Sequence, residues 1–165
     1  MDRLSISNVL IVGAAQANVA GYGNLIERGI IKTGKIVTIS GLEDQGYGWP
    51  NWISCNGTSL PFMDNKFDLV FSNAVIEHVG GIVEQVKFVN EYARVGRHFI
   101  ITTPNRLFPI ESHTLTLFLH MVKTRRSDLY TRLLSKKDLK ALLPVGSTIK
   151  GDLFSPTFIA HCTCL

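Results

Sequence analysis

"SLPFMDNKFDLVFSNAVIEHVGG", Ser59 to Gly81, decides the fold. "PFMDNKF" reads as a turn, with proline and Asp-Asn supplying the bend. "FDLVFSN", Phe67 to Asn73, is the strongest strand pattern in the chain, a short apolar run that suits a strand buried on both faces. Past its end stand Glu77 and His78. An acid at the start of a helix is favoured by the dipole, about 0.3–1 kcal/mol, which is a structural reason for Glu77. A histidine at a strand's carboxyl edge can also act as a general base, so His78 is the candidate catalytic residue.

Outward from this stretch the pattern alternates. "NVLIVG" (Asn8 to Gly13) and "GKIVTIS" (Gly34 to Ser40) read as strands, and "WIS" (Trp52 to Ser54) as a short third. A short helix is expected to end at Gly29, and the turn-rich "EDQGYGWPNW" leaves little room for another. From Gly81 to Val95, Ile82, Val86, Val89 and Ala93 recur at helical spacing and predict an amphipathic helix packed on a sheet. "RHFIITTP" (Arg97 to Pro104) is the next strand. Ser135 with Asp138 predicts a capping box for a helix through Leu143. "STIKGDLF" and "TFIAHCTC" read as a closing hairpin around Pro156. Alternating strands and helices imply an α/β sheet, mainly parallel, whose ligands bind outside the carboxyl ends of the strands.

The bulk properties agree. A chain of 165 residues suggests one domain, 1–165, and 45% apolar with 18% charged residues fits a globular protein. Cys55, Cys162 and Cys164 form no C-x-x-C pair, which argues against zinc or a disulfide framework and for a reducing cytoplasmic setting. No secretory pattern opens the chain, and "LTLFLHMV" (Leu115 to Val122) is far shorter than the ~20 residues of a membrane span. His78 and His113 are too isolated to argue for a metal. The net charge of +4 is uneven: Lys123 to Lys140 holds seven cations, suited to a solvated helical face or to a membrane surface. No aromatic residues interleave regularly with them, so nucleic-acid stacking is not supported.

Candidate ligand contacts lie at the strand ends. Gly13, Ala14, Ala15 and Ala17 are small enough for backbone to approach a cofactor, although they do not form G-x-G-x-x-G. The second strand ends without an acid, and Glu43 and Asp44 follow as ribose contacts or as exposed loop acids. Asn56, with Gly57 and Thr58, offers a donor and an acceptor to a base edge, or forms an Asx turn. Thr103, Asn105, Arg106, Glu111 and His113 could line a pocket mouth, or simply structure a loop.

"NGTSLPFMDNKFDLVFSNAVIEHV" (Asn56 to Val79), with "VGRHFIITTPNRLFPIESHTL" (Val95 to Leu115) and "LLSKKDLKALLP" (Leu133 to Pro144), resembles the class I S-adenosylmethionine-dependent methyltransferases of the type 11 group. The resemblance implies a Rossmann-like seven-stranded sheet with an antiparallel last strand, helices on both faces, and 105–134 as an acceptor-side insertion. It implies S-adenosylmethionine as cofactor, held by Gly13, Ala14, Ala15, Glu43, Asn56, Gly57, Thr58, Ser72, Asn73 and Ala74. It further implies a small-molecule, lipid or glycan acceptor met by Asn105, Arg106, Glu111 and His113. The sequence departs from the group's pattern. Ile11 stands for the first-loop acid, Ala15 and Ala17 for its later glycines, no acid stands near Ile39 or Ser40 where the ribose contact falls, and Asn56 replaces the adenine-side acid. An active methyltransferase and a degenerate domain acting as an interaction module both fit these departures. A nicotinamide oxidoreductase fits less well, because the middle of the chain resembles methyltransferases.

Overall fold

The computed structural model describes residues 5–14, 25–42, 48–108 and 132–164. Seven strands form one sheet in the order β3-β2-β1-β4-β5-β7-β6. They are β1 (Asn8–Val12), β2 (Ile36–Gly41), β3 (Trp52–Ser54), β4 (Phe67–Asn73), β5 (Gly96–Pro104), β6 (Thr148–Lys150) and β7 (Thr157–Thr163). All pairings are parallel except those of β7, which runs antiparallel to both β5 and β6. Three helices, α1 (Leu25–Ile31), α2 (Ile82–Val95) and α3 (Lys136–Leu142), are found among the described residues.

Strand residues alternate between two cores, as a period of two requires when both faces are covered. Leu10, Val12, Val70, Phe99, Ile101, Phe158 and Ala160 join Phe88, Val89 and Tyr92 of α2 and Leu139 of α3 in the larger one. Val9, Ile11, Val37, Ile39 and Phe71 form the smaller, with Ile30 and Ile31 of α1 against it.

Three expectations need correction. The first helix runs through Gly29 to Ile31. A mid-helix glycine costs about 1 kcal/mol, but Ile30 and Ile31 pack on the smaller core and outweigh it. The helix ends at Ile31, and the turn after it closes at Gly34, at φ +74°, whose N–H donates to Ile31 O. Secondly, α2 is rotated from the expected stripe. Its buried residues are Gln85, Phe88, Val89, Tyr92 and Val95, while Ile82 and Val86 face solvent. Phe88 and Tyr92, one turn apart with ring centroids 4.3 Å from each other, bury more area than the aliphatic residues they displace. Thirdly, the first arm of the closing hairpin ends at Lys150, because Gly151 at φ +107° turns the chain into a loop.

The junction of α2 and β5 has no linker. A Cβ on Gly96 would lie 2.5 Å from Val70 Cγ2, so only glycine lets the helix pass directly into the strand.

Candidate functional site

Strand order reverses between β1 and β4, and folds of this kind place their ligand crevice outside the carboxyl ends of the strands at such a switch point. Gly13 forms one wall, in the left-handed region at φ +74°. A Cβ added to it would come 2.7 Å from both Val75 methyls, beyond the end of β4. The Gly13 and Ala14 amides donate to Ser40 O at 2.7 and 3.3 Å, tying this turn to the end of β2. Ser40 itself is buried and its hydroxyl donates to Ile11 O. Ala15 and Glu43 lie outside the described residues.

The other wall is the end of β4. Register places Asn73 beside Thr102 of β5. Thr102 Oγ1 donates to Asn73 Oδ1 at 2.6 Å and accepts from the Ala74 amide at 3.2 Å. Ala74 sits at φ +54°, a left-handed conformation unusual for a residue with a Cβ, and local strain of this kind concentrates at functional sites. Ser72 turns its side chain into the core beside Tyr92. Neither hydroxyl makes a well-formed hydrogen bond among the described residues, and burial pushes the Tyr92 phenol well above its usual range. Ser72 therefore offers the crevice its backbone alone.

Asn56, Gly57 and Thr58 follow β3. Asn56 Oδ1 accepts from the Thr58 amide at 3.0 Å and from its hydroxyl at 2.9 Å, which is an Asx turn. This leaves the Asn56 amide NH2 as the group it can present to a ligand. Gly57 has a packing role: a Cβ there would meet Phe88 Cε2 at 2.7 Å and Val12 Cγ1 at 3.1 Å.

Glu77 is not the helix-opening acid that its position suggested. It lies in a separate 3-10 turn, Ile76–His78, and α2 starts later, at Ile82. The Glu77 side chain is fully buried. Its Oε2 accepts from Thr103 Oγ1 at 3.0 Å, and Oε1 makes no well-formed hydrogen bond among the described residues. Desolvation dominates here and raises its pKa to about 7, with the bonds from its own backbone and Thr103 acting the other way. His78 is exposed at the end of the same turn.

At the end of β5, Asn105 is buried and committed. Its Nδ2 donates to the carbonyls of Asp152, Leu153 and Ser155, and its Oδ1 accepts from the Leu107 amide. It joins β5 to the loop between β6 and β7 instead of facing an open mouth. Arg106 is exposed and reaches Asp138 Oδ2 at 3.7 Å. Glu111 and His113 lie outside the described residues.

Several participants escaped the sequence reading. Fully buried Gln85 donates to Ile76 O and Arg132 O and accepts from Arg132 NH1. Arg132 in turn reaches Asp138 and donates its amide to Glu77 O. Thr102 was missed as well, whereas Thr103, expected at a pocket mouth, is buried and donates to Glu77 instead. The expected strand bounds, aligned at Phe67 and Arg97, set Asn73 beside Thr103, one residue off the observed partner Thr102, and nothing in the helical period marks Gln85 as buried. Among the described residues no group of three or more His, Cys, Asp or Glu could hold a metal ion. No helix there is long and apolar enough to cross a membrane.

Residues 35–98 match a family described as a methyltransferase domain. A 44-residue stretch is 48% identical to the bifunctional methionine biosynthesis protein MetXA/MetW of Rhodopirellula baltica, covering 27% of this chain and 7% of that protein. Among solved structures, the chain is similar to the PH0226 protein of Pyrococcus horikoshii (TM-score 0.68, 14% identity, covering 98% of this chain and 83% of that one). It is similar also to an S-adenosylmethionine-dependent methyltransferase of Mesorhizobium loti (0.61, 13%, 98% and 92%). A third is the 1,6-didemethyltoxoflavin-N1-methyltransferase of Burkholderia thailandensis, solved with 1,6-didemethyltoxoflavin and S-adenosylhomocysteine (0.59, 14%, 94% and 70%).

Proposed function

We propose that this chain, whose residues 35–98 match the methyltransferase-domain family and whose fold is similar to that of S-adenosylmethionine-dependent methyltransferases, transfers a methyl group to a small-molecule, lipid or glycan acceptor. The observation that carries the reading is the arrangement of residues at the carboxyl ends of β1 and β4, where strand order reverses. Gly13 is locked against Val75 on one side, and strained Ala74 is held by Thr102 on the other.

The residues fit S-adenosylmethionine through backbone more than through side chains. Gly13 and Ala14 would form the floor, the backbone of Ser72 to Ala74 the facing wall, and the Asn56 amide would meet the base edge. When bound, the cofactor supplies an electrophilic methyl on sulfonium. The chain's contribution is alignment of the two reactants. His78, exposed at the edge, takes a proton where the acceptor carries one.

Ser40 favours a second reading. It stands where a ribose acid belongs, yet it is buried and bonded to Ile11, and charge-assisted bonds of about 1.5–3 kcal/mol each are lost with such acids. A weakly binding interaction module is the reading that loss supports. Calorimetry with S-adenosylmethionine and S-adenosylhomocysteine separates the two: micromolar binding is expected, and no heat at millimolar cofactor would leave the module. Gly13→Arg should abolish the heat. Asn56→Ala should weaken binding about two- to tenfold, as the loss of one ordinary hydrogen bond does.

A further inference from the structure

Methyl transfer has no use for the apolar tip of the loop between β6 and β7. That loop is tied down three ways. Asn105 Nδ2 holds the carbonyls of Asp152, Leu153 and Ser155 at 3.3, 3.2 and 2.9 Å. Asp152 Oδ1 accepts from the Phe154 amide at 2.9 Å and the Ser155 hydroxyl at 3.0 Å, and Ser155 Oγ accepts from the Asp152 amide. Lys136 Nζ donates to Gly151 O at 2.6 Å. What this stiffened loop presents is Leu153, 56% exposed, and Phe154, 82% exposed. Asn105 Oδ1 also fixes the turn that carries Leu107, 43% exposed. Burial in this fold does not account for the three apolar side chains, yet one buried asparagine orders both turns that display them.

The surroundings are cationic. Lys150 precedes the loop, Lys136 touches it, and exposed Lys137 and Lys140 continue along α3, with exposed Arg106 at the other turn. Of the nearby acids, Asp138 is bound by Arg132 and Arg106, and Asp152 is turned into its own loop. We propose that this loop is a docking wedge for an anionic phospholipid bilayer: Leu153 and Phe154 enter the interfacial layer, and the lysines meet headgroup phosphates. Two adjacent exposed apolar side chains flanked by spread cations suit a deformable surface, whereas a specific protein partner needs about 800 Å² on each side. The loop lies at the carboxyl edge of the sheet, the same edge as the crevice. If the methyl-transfer reading holds, docking would bring an acceptor from the lipid phase to that edge; docking itself does not depend on it.

The full chain is sedimented with phosphatidylcholine vesicles, with and without phosphatidylserine, in the absence of cofactor, so that failure here is distinct from failure of cofactor binding. Binding is expected with the anionic vesicles, falling as salt rises. Leu153→Ser with Phe154→Ser, and separately Lys137→Glu with Lys140→Glu, should each lower the partition constant at least about tenfold. All four positions are exposed, and matching thermal melts establish that the variants fold. Absence of vesicle binding, or full binding by Leu153→Ser with Phe154→Ser, would overturn the proposal. So would equal binding to polyaspartate, which would assign the patch to an acidic protein instead.

Discussion

Glu77 shows how much one side chain's surroundings can change its chemistry. A carboxyl with an ordinary pKa near 4.5 is held at about 7 by burial. The folded state therefore binds the proton more tightly than the unfolded one. Its contribution to stability is fully present below about pH 4.5 and is lost as pH rises toward 7, amounting to roughly 2–4 kcal/mol. Denaturant melts between pH 5 and 8 should show stability falling with pH, and Glu77→Gln should flatten that slope and exceed the parent at pH 8. A slope that persists in the variant would move its origin elsewhere. The two left-handed residues at the crevice make the opposite pair. Gly13→Ala adds a strained conformation and a clash with Val75, and should cost about 2–4 kcal/mol by chemical denaturation. Ala74→Gly relieves strain at φ +54° and should stay within about 1 kcal/mol of the parent, whereas Ala74→Val should fall well below it. The need for glycine at position 13 could be read from the sequence, because a strand running into a helix requires a tight turn. The strain at Ala74 could not, since it arises from Thr102, which is 28 residues away in the chain.

Elements were read best where local chemistry alone defines them. The capping box of α3 is present in full, with Ser135 accepting from the Asp138 amide and Asp138 accepting from Ser135. Ser135→Ala should lower the melting free energy by about 1 kcal/mol, checked by urea titration, and an unchanged midpoint would mean that α3 is held by packing alone. Elements were read poorly where a partner decides the outcome. The period of α2 shows that a helix exists, but it does not fix which face turns inward. That is decided by Phe88 and Tyr92 stacking beneath the sheet and by Gln85 reaching Ile76 and Arg132. Asn105 is similar. Its sequence neighbourhood, between two prolines, suits a pocket mouth, but its three carbonyl acceptors come from a loop 47 to 50 residues later. Asn105→Ala should loosen that loop, and limited proteolysis should find faster cleavage between Gly151 and Pro156. Equal cleavage rates would show that the loop holds its own shape.

At the scale of the whole molecule, the strand sequence was readable because parallel strands buried on both faces are continuous apolar runs, and this sheet is made mostly of them. The division of its two cores was less readable, because it depends on which helices cover which face. The larger core unites β4, β5 and β7 with α2 and α3, and it holds the large aromatics Phe67, Phe88, Tyr92, Phe99 and Phe158. The smaller core rests on β1 and β2, with α1 only seven residues long. β3 has three residues, none buried, and pairs with β2 alone. Regions with few buried apolar side chains open first, at free energies below that of global unfolding. Native-state hydrogen exchange should therefore be uneven. Amides of β2 and β3 should exchange at least about tenfold faster than those of β4 and β5, a difference of roughly 1.4 kcal/mol or more in opening energy. Cofactor should narrow the gap if it binds in the crevice, because Ser40 at the end of β2 holds the Gly13 and Ala14 amides that would form the floor. Uniform protection across the sheet would show that the two cores open as one unit. A gap that cofactor fails to narrow would place the ligand away from β2.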